Sequence, residues 1–232
     1  MDKTLIATLL LGFVLGLRHA LDADHVVAVS TMVSQYRSPF KAAVVGAYWG
    51  LGHTGTLLLV GVGVIVFKLA IPPRLALGME FLVGVVLFAL GIQTLARFRA
   101  EKHTHTHQHG ELVHSHEHVH PHEQEEAQHH PVPQHRSLFL GMIHGLAGSA
   151  ALMLLVLGTI SSPMAGLGYI LIFGIGSIGG MVIISTLIGL PLALSSQRFS
   201  PVNDWIRVFT GIMSIAFGIF VMIEIGLVKG LF

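Results

Sequence analysis

Six stretches of this chain are long and apolar enough to cross a bilayer, and no other feature limits the possible fold as strongly. A spanning helix needs about 20 mostly apolar residues to cross about 30 Å of hydrocarbon. The runs extend from Thr4 to Val33, Lys41 to Phe67, Leu75 to Ala96, Leu138 to Ile160, Ala165 to Leu194 and Trp205 to Leu227. Backbone polar groups inside lipid must be paired within the protein, so each run is expected to be helical. Composition agrees: 53% of the residues are apolar, 11% are charged and the mean hydropathy is +0.74, whereas a soluble domain carries about a quarter charged residues. The expected fold is all-α, a polytopic membrane protein with six transmembrane helices. One lysine precedes the first run and no clear small-residue cleavage site follows it, so it is read as a span rather than a leader.

Several function classes drop out at once. A net charge of +1 gives no basic footprint for nucleic acid. The chain has no cysteine, which removes disulfides, thiolate metal sites and dithiol redox chemistry. It has no Gly-x4-Gly-Lys-[Ser/Thr] phosphate loop and no His-Glu-x-x-His zinc-protease motif. An enzyme is therefore not expected, and no cofactor is called for. Any metal chemistry must use nitrogen and oxygen ligands.

Between the third and fourth spans the composition changes. Residues 101–136 hold 12 of the 16 histidines, with glutamate, glutamine and three prolines. Such a segment cannot build a packed core, so it is read as a disordered loop that captures metal weakly. It divides the chain into residues 1–100, 101–136 and 137–232. Lys and Arg set the orientation. Lys3, Lys68, Arg74 and Lys229 lie on one side; Arg37, Lys41, Arg97, Arg99, Lys102, Arg136, Arg198 and Arg207 lie on the other. The more basic side, with the His-rich loop, is expected in the cytoplasm and both termini outside.

The two halves resemble each other. Gly16, His19 and Leu21 fall on Gly141, His144 and Leu146 at an offset of 125. Gly50 and Gly52 fall on Gly174 and Gly176 at 124, which sets His53 over Ser177; Gly84 and Gly91 fall on Gly211 and Gly218 at 127. Three collinear matches indicate a duplication. Three spans per half force the halves into opposite orientations, the inverted-repeat plan whose substrate sites lie near the midplane.

All four histidines outside the loop, His19, His25, His53 and His144, fall in spans. The first span also carries Asp22 and Asp24. A charge at bilayer depth costs about 2.5–3.5 kcal/mol on insertion scales, so it persists where it meets a partner, a cavity or a substrate. Imidazoles suit nickel, copper and zinc, and carboxylates add hard oxygen and charge. At about 100° per residue, His19, Asp22 and His25 share a helix stripe while Asp24 points elsewhere. For His19, Asp24 and His25 to hold one ion, the helix must bend or unwind here. Asp22 is then left either to pair with Arg18 or to orient an imidazole.

These residues resemble the nickel/cobalt transporter (NiCoT/NicO) family. His19-Ala-Leu-Asp-Ala-Asp24-His25 looks like its His-x4-Asp-His signature, and Gly52-His53-Thr54 is similar to its Gly-His-Ser motif. The six-span length and Gly141–Ser149 look most like its short, UreH-like members. The resemblance covers the chain apart from the His-rich loop. It implies a permease that takes up Ni²⁺ or Co²⁺ as substrate and feeds nickel-delivery proteins and nickel enzymes. It implies metal recognition by His19, Asp24, His25 and His53, with Asp22 and His144 beside them. The second half has His144 and Ser149 where larger members carry an acidic motif. Efflux relatives share the His-rich loop, so export of the same ions is the alternative.

Overall fold

The computed structural model describes residues 3–36, 38–68, 71–101, 104–109, 112–117, 134–146, 160, 162–196 and 200–232. Seven α-helices are described: α1 (Lys3–His19), α2 (Ala23–Val33), α3 (Pro39–Val66), α4 (Pro73–Glu101), α5 (Gln134–Gly145), α6 (Pro163–Ser196) and α7 (Ser200–Ile223), the last extended by a π-turn over Glu224–Val228. Helices α3, α4 and α6 begin on a proline, and α7 has Pro201 at its second residue. Proline suits the first helical turn, where its missing N–H has no partner to lose. Ser38 adds an N-cap to α3, accepting from the Lys41 N–H at 3.4 Å.

Among the described residues, helices α3, α4, α6 and α7 are each long and apolar enough to span a bilayer, and α1 with α2, bent by 53° at their break, makes a fifth if the pair is one broken span. The expected fourth span, 138–160, lies mostly outside the described residues; its start is α5. Part of the His-rich segment, expected to lack regular structure, is paired. Strands β1 (Thr104–His109) and β2 (Leu112–Glu117) run antiparallel, with His105 opposite His116 and His107 opposite His114. Histidines alternate there with other residues at the period of two that a strand requires.

The break in the first span has a local cause. After His19 the chain tightens, with Leu21 N–H on the Arg18 carbonyl at 2.8 Å and Asp22 N–H on the His19 carbonyl at 3.0 Å. Asp22 then takes extended angles (φ −60°, ψ 143°) and restarts the helix at Ala23. Its side chain makes no cap hydrogen bond, because it is engaged elsewhere, as described below.

Helices in lipid gain little from hydrophobic burial, so they associate through close backbone approach at small residues. Here glycines do this in exchanged pairs. A Cβ on Gly16 of α1 would run into the Phe173 carbonyl of α6, and one on Gly141 of α5 into the Trp49 carbonyl of α3. A Cβ on Gly52 of α3 would meet the Leu138 carbonyl of α5, and one on Gly176 of α6 the Phe13 carbonyl of α1. Helices α4 and α7 meet at Gly84 against Gly218 and at Gly91 against Gly211. Large side chains such as Leu10, Leu59, Leu187 and Phe209 point outward and cover the lipid-facing surface.

Gly141→Ala is expected to destabilise the protein by about 1–3 kcal/mol through overpacking. A Cβ on Gly179 meets nothing within 4 Å, so Gly179→Ala is expected to be neutral or slightly stabilising through helix propensity. Denaturant unfolding in detergent micelles compares the two.

Candidate functional site

The bend between α1 and α2 turns two imidazoles inward from either side of it. His19 ends α1, His25 sits in the first turn of α2, and both are buried, at 6% and 1% exposure. α3 brings His53 and α5 brings His144, also buried. Gly145 lets α5 touch the His53 carbonyl. Helix α3 contributes Trp49 as well, one turn before His53 and so on the same side.

The rings form one cluster. Centroids lie 4.5 Å apart for His19 and His25, 5.0 Å for His19 and His53, 5.1 Å for His25 and His53, and 5.6 Å for His25 and His144. The ligand atoms of His19, His25 and His53 all lie within 4.8 Å of one another, and those of Asp22, Asp24 and His25 form a second such group. Trp49 stacks 5.3 Å from both His25 and His144, and Phe173 of α6 covers His19 at 5.6 Å.

Hydrogen bonds fix the tautomers. His19 Nδ1 donates to Asp22 Oδ2 at 2.7 Å, and His25 Nδ1 donates to Asp24 Oδ1 at 3.0 Å. An ionised carboxylate can only accept, so the proton on each ring is at Nδ1 and the lone pair is at Nε2. His144 reaches the same state through the Leu140 carbonyl, 3.2 Å from its Nδ1. The His25 and His144 Nε2 atoms are buried without a hydrogen-bond partner. His19 Nε2 is engaged: His53 Nε2 lies 3.1 Å from it and must donate to it, leaving His53 Nδ1 buried and unpartnered. Buried polar atoms are nearly always satisfied. Two bare Nε2 atoms beside the His19–His53 pair give the cluster donors suited to a cation.

The carboxylates are less buried than the rings: the Asp22 side chain keeps 46% exposure and that of Asp24 27%.

The six residues singled out in the sequence lie near one another, but their ligand atoms fall into two groups, His19–His25–His53 and Asp22–Asp24–His25, so Asp24 does not join His19, and His144 is in neither. The bend expected for His19, Asp24 and His25 is present, and of the two roles open to Asp22, the hydrogen bond is to His19. Two neighbours escaped the sequence reading. Trp49 reads as one more core aromatic; its place one turn before His53 was the available signal. Phe173 comes from α6, at a distance along the chain that no spacing rule spans.

Comparison with known proteins agrees with this architecture. A family model described as "High-affinity nickel-transport protein" (NicO) matches residues 5–231. A "Urease accessory protein UreH" of Bacillus sp. (strain TB-90) is 41% identical over 234 aligned residues, covering 100% of this chain and 98% of the relative. Shorter matches link it to a "High-affinity nickel transport protein" of Cupriavidus necator and a "Hydrogenase nickel incorporation protein HupN" of Bradyrhizobium diazoefficiens. The first is 33% identical over 31% of this chain and 20% of the relative. The second is 40% identical over 23% of this chain and 14% of the relative. No solved structure matches the chain. With residues 5–231 matched by the family model and a full-length relative at 41% identity, the chain belongs to the NicO family of high-affinity nickel-transport proteins.

Proposed function

We propose that this protein is a secondary transporter that takes up Ni²⁺, and Co²⁺ with it, across the cell membrane through the His19–His25–His53 pocket. One observation carries the reading: three buried imidazoles whose ligand atoms lie within 4.8 Å of one another at a break in a membrane helix. Asp22 and Asp24 act on Nδ1 of His19 and His25, raising ligand basicity as outer carboxylates do in metal sites. Their exposed oxygens also meet the hydrated ion first. His144, beside His25 with a bare Nε2, is the next station.

Imidazole nitrogens in a chain without cysteine suit Ni²⁺ among the divalent transition metals. The relatives' names, in urease and hydrogenase nickel supply, support nickel as cargo and nickel-delivery proteins as partners.

The exchanged glycine contacts support a 3+3 inverted repeat, since an exact exchange of halves turns the α1–α6 contact into the α5–α3 contact. With six spans, the fourth beginning at α5, both termini lie outside and the His-rich loop lies in the cytoplasm. An inside-negative potential favours entry of a dication by about 4.6 kcal/mol per 100 mV, twice the single-charge value. Uptake therefore needs no nucleotide.

Two outcomes follow. Liposomes holding a metal-sensitive dye are expected to take up Ni²⁺ or Co²⁺ faster than Mn²⁺, with uptake abolished by His19→Ala. Equal flux through the variant would remove the pocket from the mechanism, and outward-only flux in oriented vesicles would favour export. In micelles, Asp22→Asn is expected to weaken Ni²⁺ binding about 10–100-fold, the usual cost of losing a carboxylate behind a ligand histidine. Isothermal titration against wild-type protein measures this, and unchanged affinity would deny Asp22 its orienting part.

A further inference from the structure

Helix α6 carries a second polar feature that the histidine pocket does not use. Tyr169, Phe173, Ser177, Met181 and Ser185 follow one another at four-residue spacing and are all at 2% exposure or less. Such a row forms a continuous ridge along a helix. It extends about 24 Å at 1.5 Å per residue, most of the hydrocarbon thickness.

Three members of the ridge have hydroxyls, and none of the three has a partner: Tyr169 Oη, Ser177 Oγ and Ser185 Oγ are buried without a hydrogen bond. Serine and threonine in a membrane helix normally satisfy themselves on the carbonyl four residues back. Several others in this chain do so: Ser30 on Val26 at 2.6 Å, Thr31 on Val27 at 2.8 Å, Thr56 on Gly52 at 3.1 Å, and Thr186 on Val182 at 2.7 Å, whereas Thr94 of α4 is a single buried hydroxyl without a partner. Thr186 is the direct neighbour of Ser185, so the helix itself does not forbid the bond. Leaving a buried hydroxyl unsatisfied costs about 1–3 kcal/mol each.

The ridge lies against the helices that carry the pocket. A Cβ on Gly12 of α1 would meet the Tyr169 ring, and one on Gly16 would meet Phe173 and Ser177 backbone atoms. On α3, Gly46 admits Ser185 Oγ and Gly50 admits the Met181 sulfur. Phe173, one turn before Ser177, covers His19. Ser177 also stands where the second half has its counterpart of His53. Ser177 therefore lies one helical turn from the ring that covers His19.

We propose that the Ser177–Ser185 ridge of α6 is a second, neutral-oxygen binding site for the partly hydrated dication and its water. It takes the ion as it moves to or from the imidazoles. Weak oxygen ligands suit this task, because a conducting site must release what it binds. The inference deepens the transport reading and rests on it for the identity of the cargo, but access to the ridge is testable without any metal.

The chain contains no cysteine, so single cysteines can be introduced without background. Ser177→Cys and Ser185→Cys, in proteoliposomes, are expected to react with a small water-soluble methanethiosulfonate at least tenfold faster than Thr186→Cys. Equal rates at the three positions, or no reaction at 177 and 185, would overturn the ridge as a water-accessible site. In parallel, Ser177→Ala is expected to lower Ni²⁺ flux about tenfold while Ni²⁺ affinity at the pocket and the unfolding midpoint stay unchanged. Thr186→Ala, which loses a self-satisfied hydroxyl, is expected to leave flux intact. Wild-type flux in Ser177→Ala, or an equal loss in Thr186→Ala, would overturn the proposal. Should the labelling pattern hold while wild-type protein moves no Ni²⁺ or Co²⁺, the nickel/cobalt reading falls and the water-accessible ridge stands.

Discussion

Imidazoles can converge inside a bilayer only if the helices that carry them touch at the backbone. Histidine is short, and the pocket draws on α1, α2, α3 and α5. At Gly52, Gly141 and Gly145 the absence of a Cβ lets α3 and α5 meet carbonyl to glycine. At Gly16 and Gly176 the same approach joins α1 to α6. Without these approaches His53 and His144 would be separated from His19 by a layer of side chains. The pocket is thus a product of packing, and the packing is a product of glycine.

The bend between α1 and α2 sets the surroundings of the carboxylates. His19 closes one helix and Asp22 precedes the next, so their hydrogen bond spans the break, while Asp24 holds His25 inside α2. Both carboxylate side chains keep part of their surface open while the rings are buried.

Much of this was legible in the sequence. The angular mismatch of Asp24 on an ideal helix called for a bend, and the bend is there. The long apolar runs marked α3, α4, α6 and α7. The break that makes the first span two helices falls in its polar run, Arg18–His25, but where each helix ends is set by the turn hydrogen bonds at Leu21 and Asp22. Nor could it find Trp49 and Phe173, whose proximity to the rings is set by how α3 and α6 lean on their neighbours. The period-two pattern of histidines between 104 and 117 was visible but was read as composition. The ridge on α6 was half visible: the serine at 177 stood out through its alignment with His53, but that it lacks a partner is a property of the folded chain.

The hydrogen bond between His53 and His19 has a consequence for the pocket at rest. A cage of nitrogen lone pairs repels itself, and an empty one would spread apart or fill with water. Here a single proton, carried on His53 and shared with His19 across 3.1 Å, occupies the gap between two of the donors. It holds the two rings together through one displaceable bond. On the transport reading proposed above, an ion bound to both Nε2 atoms would send that proton to the far side of the His53 ring, where Nδ1 is bare. The same gap would then serve two occupants in turn, without the cluster being permanently charged.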